Sequence, residues 1–326
     1  MAESALSVKY DDLVEEVARF LGYKSMTYLS KSELDEVDRY IQSGLRNFYY
    51  PPAADGIEAG YEWSFLNPTT TIDTIAPYST GTLGVVSGIC TLTGGTWPTW
   101  AATLGTLVID STTYTITTRD SAAQLTVVGD DVTAGESDWT LSRSASYDLP
   151  DLCGRVLSDF FFEPDTYSQS IPVVSEAQMM TFRQRTTDES RPAYAAVRFR
   201  SDATTKTTGQ RLEVVFWPTP DAAYSLTYRY EGYTGKLTSA LPYPLGGMRH
   251  AELITESCLA VAEQRANDEK GLHWDSFVRM LRSGIEQDRK LGARYYGHMG
   301  ADNGVVVERR GFCGTNYPVT YKGETW

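Results

Sequence analysis

Leu212-Glu-Val-Val-Phe-Trp-Pro-Thr-Pro-Asp221, followed by Tyr224-Ser-Leu-Thr-Tyr-Arg-Tyr230, is the stretch on which the fold turns. Leu212, Val214 and Phe216 recur at period two, as do Tyr224, Leu226, Tyr228 and Tyr230. β-Branched and aromatic residues at that period make strands. Pro218 and Pro220 stiffen the link between them. The spacing predicts two antiparallel strands joined by a proline-rigid turn. The stripe of Tyr224, Tyr228 and Tyr230 is expected in the core or at an interface between subunits.

Upstream, Tyr147-Asp-Leu-Pro150 opens the same β core, and Tyr61-Glu-Trp-Ser-Phe-Leu66 alternates as a further strand. Between them, from about Ser79, Thr, Ser and Gly become dense and charges rare. Tyr114 with Ile116, Leu125 with Val127, and Trp139 with Leu141 alternate; Gly94-Gly95, Asp110-Ser111 and Gly129-Asp130 punctuate them as turns. Residues 79–143 read as an inserted small β-barrel of about five strands.

Helical patterns occupy both chain ends. Leu13, Val17 and Phe20 share a face of a helix over residues 10–22, with acidic first turns and Gly22 as its stop. Leu34, Val37, Ile41, Leu45 and Phe48 form the stripe of a second helix, capped by Ser32 and ended by Pro51-Pro52. Beyond the β region, a helix over 248–266 puts Ile254, Cys258, Val261 and Ala262 on one face. Another, over 274–291, aligns Trp274, Phe277, Leu281 and Ile285, with Gly284 marking a close crossing or a kink. The expected fold is α+β. Residues 1–52 and 247–299 form a helical bundle, 53–78 and 144–246 the β core, 79–143 the insertion, and 300–326 an extended tail. That tail carries Val305, Val306, Val307, Phe312, Tyr317, Tyr321 and Trp326, apolar enough to bind something.

Composition narrows the function. The 326 residues are 41% hydrophobic and 22% charged, as in folded soluble chains, and no apolar run reaches the roughly 20 residues of a membrane span. The N-terminus lacks a basic region followed by an apolar one, so a cytoplasmic origin is expected. A net charge of −13 disfavours ordinary nucleic-acid binding. Within that acidic chain, Arg183, Arg185, Arg191, Arg198, Arg200, Lys206 and Arg211 form one basic stretch. It reads as a solvated face, a subunit interface meeting an acidic neighbour, or a DNA-facing belt.

No catalytic constellation emerges. Cys90, Cys153, Cys258 and Cys313 lack CxxC spacing and read as free thiols; His250, His273 and His298 form no zinc motif. Gly235-Lys236 is no phosphate loop, because Tyr230 stands where its first glycine belongs. Asp11-Asp12 and Glu15-Glu16 suit the opening turns of a helix, and Asp130-Asp131 a turn. Neither a cofactor nor a metal is expected. Trp97 and Trp100, beside Pro98, plug the barrel or offer a sugar-stacking surface.

The order of these pieces resembles the head–tail adaptor, or connector, proteins of tailed phages, including the tail tubular protein A type. The resemblance rests on three stretches. They are Tyr10-Asp-Asp-Leu-Val-Glu-Glu-Val-Ala-Arg-Phe-Leu-Gly22 with the helix Val37-Asp-Arg-Tyr-Ile-Gln-Ser-Gly-Leu-Arg-Asn-Phe-Tyr-Tyr50, then Tyr147–Pro150 with Phe216–Asp221 and its Tyr-rich sequel, then the return to helices and a tail. It covers most of the chain outside 79–143, an insertion that smaller members lack. It implies a non-enzymatic virion protein, assembled in the host cytoplasm into a homo-oligomeric ring, usually a dodecamer. Such a ring sits between the portal and a tail nozzle, stopper or tube protein, the genome passes through it, and the C-terminal tail docks on the portal. The alternatives are a tail or baseplate structural protein with a glycan-binding barrel, and a virion-borne cell-wall hydrolase.

Overall fold

Helix ends follow local capping signals. A computed structural model describes residues 3–54, 57, 59–129, 138–164, 166–186, 188–200, 211–292, 320–321 and 324–325. Its helices are α1 (Tyr10–Phe20), α2 (Lys31–Tyr49), α3 (Ala101–Leu104), α4 (Glu176–Arg185), α5 (Ala251–Asn267) and α6 (Leu272–Gly292). Helix α1 stops as predicted. Gly22 takes φ +78°, its N–H donates to Arg19 O, and Tyr23 N–H donates back to Ala18 O. The cap of α2 is Ser30, not Ser32: Ser30 Oγ accepts from Glu33 N–H while Ser30 N–H donates to the Glu33 carboxylate at 2.7 Å. Serine followed three residues on by glutamate satisfies two orphan donors at once, which Ser32 with Asp35 does less well.

The chain is mixed α+β and divides into two units. One comprises Glu15–Ser64 and Glu252–Trp326. Within it α2 buries Val37, Ile41, Gly44, Leu45 and Phe48, and α5 buries nearly its whole circumference, including Ile254, Cys258, Val261 and Ala262. α6 buries Phe277, Leu281 and Ile285. A close helix crossing lies at Gly44, where a Cβ would stand 2.6 Å from Cys258 Cα. Gly284 is buried inside the uninterrupted α6. Residues 61–66 are not a strand: Ser64–Leu66 forms a 3-10 turn, with Trp63 fully buried and its indole N–H donating to Phe48 O at 2.8 Å.

The other unit, Met1–Val14 with Phe65–Ala251, holds most of the strands. They are β1 (Thr69–Asp73), β2 (Thr82–Val86), β3 (Ile89–Thr93), β4 (Gly105–Ile109), β5 (Thr112–Arg119), β6 (Gln124–Val127), β7 (Trp139–Arg143), β8 (Ser146–Asp148), β9 (Cys153–Val156), β10 (Phe161–Phe162), β11 (Tyr194–Phe199), β12 (Leu212–Trp217) and β13 (Ser225–Gly232). The expected hairpin is absent, because β12 and β13 do not pair. β12 lies between β11 and β8, with Val214 opposite Val197 and Tyr147. β13 pairs with β1, β10 and β9. The Pro218–Pro220 link therefore turns a corner between two sheets. Leu212, Val214 and Phe216 meet Leu226 and Tyr228 face to face, over Phe160 and Ile171.

β12 is buried on both faces, so its far side needs a cover. α4 supplies it, with Met179 packed on Val215, Ala196 and Ala145, and Phe182 stacked on Trp217 at 5.1 Å. α4 has no amphipathic stripe to mark it in the sequence. Its start carries a capping box, Ser175 with Gln178.

The insertion is one curled antiparallel half-barrel of six strands, in the order β2-β3-β6-β5-β4-β7, rather than five. Two-residue turns at Ser87-Gly88 and Asp110-Ser111, all at positive φ, close the hairpins. Leu83, Val85, Leu92, Leu107, Leu125 and Leu141 line its concave core. β14 (Thr320–Tyr321) and β15 (Glu324–Thr325) pair antiparallel.

Candidate assembly surfaces

The basic stretch is mostly spent inside its own chain. Arg198 Nε lies 2.6 Å from Glu213, a carboxylate 8% exposed, and Arg198 Nη1 lies 3.8 Å from Glu176. Arg200 pairs with Asp148 at 2.9 Å and Arg211 with Asp151 at 3.0 Å. Arg191 lies over the Tyr167 ring at 4.5 Å. Sequence distance hides all of these pairs; strand register creates them, since Arg198 faces Glu213 directly across β11 and β12. Arg183 and Arg185 differ. They stand exposed in the last turn of α4, with no ion pair among the described residues. Lys206 lies outside the described residues. Among the described residues, therefore, the geometry builds no continuous cationic belt.

The tyrosine stripe splits. Tyr228 is 1% exposed and sits against Phe160 at 4.8 Å, inside the core of its own chain rather than at a subunit contact. Burial raises its phenol pKa well above the usual value. Tyr224 and Tyr230 stay partly exposed. The Tyr224 hydroxyl donates to Asp221 at 2.7 Å, and burial followed by that bond raises its pKa as well.

The tryptophans of the insertion are core plugs. Trp97 is 1% exposed and meets Trp139 edge to face at 5.0 Å; Trp100 is half-buried beside them. Neither Trp97 nor Trp139 offers a ring face to a sugar. The Arg119 guanidinium donates to Trp97 O from Nε and Nη2, at 3.1 and 3.0 Å, which fixes the loop. The Trp97 indole N–H has no acceptor among the described residues. Trp97→Ala should cost about 3–5 kcal/mol in urea unfolding, as a large cavity does. Trp97→Phe should cost about 1 kcal/mol, because no hydrogen bond is lost. Equal losses for both would mean that the indole N–H binds something.

The remaining candidates have structural roles. The carboxylates of Glu15 and Glu16 pair with Arg19, and Asp12 accepts from Lys9 N–H at 3.0 Å. His273 Nδ1 meets Glu256 at 2.9 Å with its ring edge-on to Phe20; its backbone N–H and that of Trp274 are capped by Glu263. His250 is buried beside Phe65. Cys90, Cys153 and Cys258 are unpaired and buried, and burial lifts their thiols to about 11, 11 and 12. These thiols are protonated at neutral pH. No three His, Cys, Asp or Glu side chains gather as metal ligands among the described residues. No helix there is long and apolar enough to cross a membrane. Cys313, His298, Asp130-Asp131 and the tail residues Val305, Val306, Val307, Phe312, Tyr317 and Trp326 lie outside the described residues; Tyr321 belongs to β14. No protein-family model matches this chain, and no curated protein matches it.

Proposed function

We propose that this chain is a structural subunit of a tailed-phage head–tail adaptor, assembled as a ring that joins the portal to the tail and lets the genome pass. The observation that carries this reading is the division of the chain. Glu15–Ser64 and Glu252–Trp326 belong to one helical unit, and the intervening β region belongs to the other. The resemblance implies a bundle from both chain ends, and this division supports it for Glu15–Ser64 with Glu252–Trp326, while Met1–Val14, the start of α1 included, groups with the β region. On this reading residues 79–143 are a barrel inserted into the adaptor plan, and residues 300–326 are an extended tail that docks on the portal. A dodecamer is the expected ring.

Charge supports the reading too. Three arginines of the basic stretch are matched by Glu213, Asp148 and Asp151, which lowers the cationic charge that stretch can offer phosphate. A passage that does not grip DNA lets it slide. The partners are other copies of the chain, the portal, and a nozzle, stopper or tube protein of the tail.

Electron microscopy of the protein mixed with the portal ring of the same phage tests the proposal. A second ring stacked coaxially under the portal is expected, whereas a portal left bare at high subunit concentration rules the adaptor out. Removing residues 301–326 should abolish attachment while the melting curve of the remaining chain is unchanged. Attachment that survives the truncation would show that docking lies elsewhere.

A further inference from the structure

The insertion leaves the β core by two short connections, and both are fastened. On the way in, residues 74–77 lie between β1 and Tyr78; on the way out, Ser144 and Ala145 lie between β7 and β8. Units joined within one chain usually hang on exposed, flexible linkers crossed by few contacts. These connections are of another kind. They hold no glycine, and Pro77 stiffens the first. Thr74 and Ala145 are each 2% exposed.

Each connection is bound on both sides. Thr74 N–H donates to Tyr224 O at 2.9 Å; its hydroxyl accepts from Tyr224 N–H and donates to Ala222 O, both at 2.8 Å. Tyr78 then exchanges both backbone bonds with Leu141 of β7, at 2.8 Å. On the way out, Ser144 N–H donates to Leu104 O of the insertion at 2.7 Å, and Ala145 O accepts from Phe216 N–H of the core at 3.0 Å.

Tyr147 joins the two connections. Its backbone lies opposite Val214 in β12 and its ring meets Phe216 edge to face at 5.8 Å, so it is fixed in the core. Its hydroxyl accepts from Ile75 N–H at 3.1 Å, on the ingoing side. Arg143, the last residue of β7, lies over its ring at 3.8 Å and donates from Nη1 to Ser146 O at 2.7 Å. One core side chain thus holds a residue of each connection.

We infer that the insertion is a rigid arm set at a fixed angle to the β core, and that Tyr147 is the positioning residue of its joint. A hinge needs residues that absorb backbone rotation, whereas turning this joint breaks several hydrogen bonds at once. A load on the insertion is therefore passed to the core instead of being absorbed in a linker. The joint does not rest on the adaptor reading; on that reading, every copy in a ring would hold its insertion at the same angle.

Nuclear magnetic resonance on the full chain tests this. Residual dipolar couplings from β2–β7 and from β1, β12 and β13 should fit one alignment tensor of one magnitude. A smaller magnitude for the insertion overturns the rigid arm. Two variants test the joint. Tyr147→Phe keeps the ring and removes the acceptor of Ile75 N–H, and Arg143→Gln removes the charge above that ring. Hydrogen exchange should quicken at least about fivefold at Ile75 in the first and at Tyr78 and Ser144 in the second. Exchange in β3 and β6 should match the parent in both, because the core of the insertion is untouched. With both changes together, the insertion's couplings should fall below those of the core. Joint amides that exchange as in the parent, or β3 and β6 quickened as much as the joint, would overturn the role given to Tyr147. A portal left bare would sink the adaptor reading and leave these couplings as they are.

Discussion

Valine at position 44 should leave the helical unit unfolded. Gly44 sits in α2 where α5 crosses it. An added Cβ would lie 2.6 Å from Cys258 Cα and 2.8 Å from its amide nitrogen, closer than real Cβ contacts come. The obstacle is backbone, so no rotamer change relieves it. Cys258 also lies 3.7 Å from Ile41 O through its Sγ, so the two helices have no slack. Overpacking of this kind costs about 1–3 kcal/mol for added methylenes and more where backbone must move. Gly44→Ala should lose about 3 kcal/mol, and Gly44→Val should lose the cooperative transition altogether. Trp63, buried against Phe48, reports the change by fluorescence. Gly235→Ala is the control: a Cβ there meets nothing within 4 Å, so its midpoint should hold within about 0.5 kcal/mol. A Gly44→Ala chain as stable as the control would show that α2 and α5 are farther apart than described.

Asp288→Ala should be nearly as damaging. The Asp288 carboxylate is 5% exposed and ties the 61–64 segment to α6. It accepts from the Tyr61 hydroxyl at 2.8 Å, from Ser64 N–H at 2.9 Å and from the Ser64 hydroxyl. Three donors converge on one acceptor, and the same short segment carries Trp63 into the core. Burial and the Asp288 bond together push the Tyr61 phenol up to about 12. Taking the carboxylate away leaves these donors facing a small cavity. Each buried donor without a partner costs about 1–3 kcal/mol, so a total near 4 kcal/mol is expected in urea unfolding. Asp288→Asn should keep part of this, since its amide oxygen accepts. If alanine and asparagine were equally mild, the cluster would not hold the segment in place.

Much of the fold could be read directly from sequence, for local reasons. α1, α2, α5 and α6 were marked by apolar residues three and four apart and by caps, and those signals act within a few residues. The Asp110-Ser111 turn and the flanking alternation of Leu125 with Val127 and Trp139 with Leu141 were visible for the same reason. Two further local signals point to α4. Leu212–Trp217 is apolar without alternation, which requires a cover on both faces, and Ser175-x-x-Gln178 marks the helix that provides it.

Strand partnership was beyond local reading. An alternating segment suits a hairpin and a corner between facing sheets equally, because period two describes a face and not a neighbour. Thr69 pairs with Arg229 across the chain, and Glu213 becomes a buried partner for Arg198 only once β11 and β12 align. That alignment consumes much of a basic stretch that looked available. Tyr228 is buried against Phe160, while Tyr224 and Tyr230 stay partly exposed. The sequence by itself determined that both chain ends are helical, that most of the middle is extended, and that the chain is acidic. Tertiary structure alone decided which strands pair, where α2 and α5 touch at Gly44, and which charges remain outside. Those outcomes depend on residues far apart in the chain, whose contacts exist only after folding has paid their loop-closure entropy.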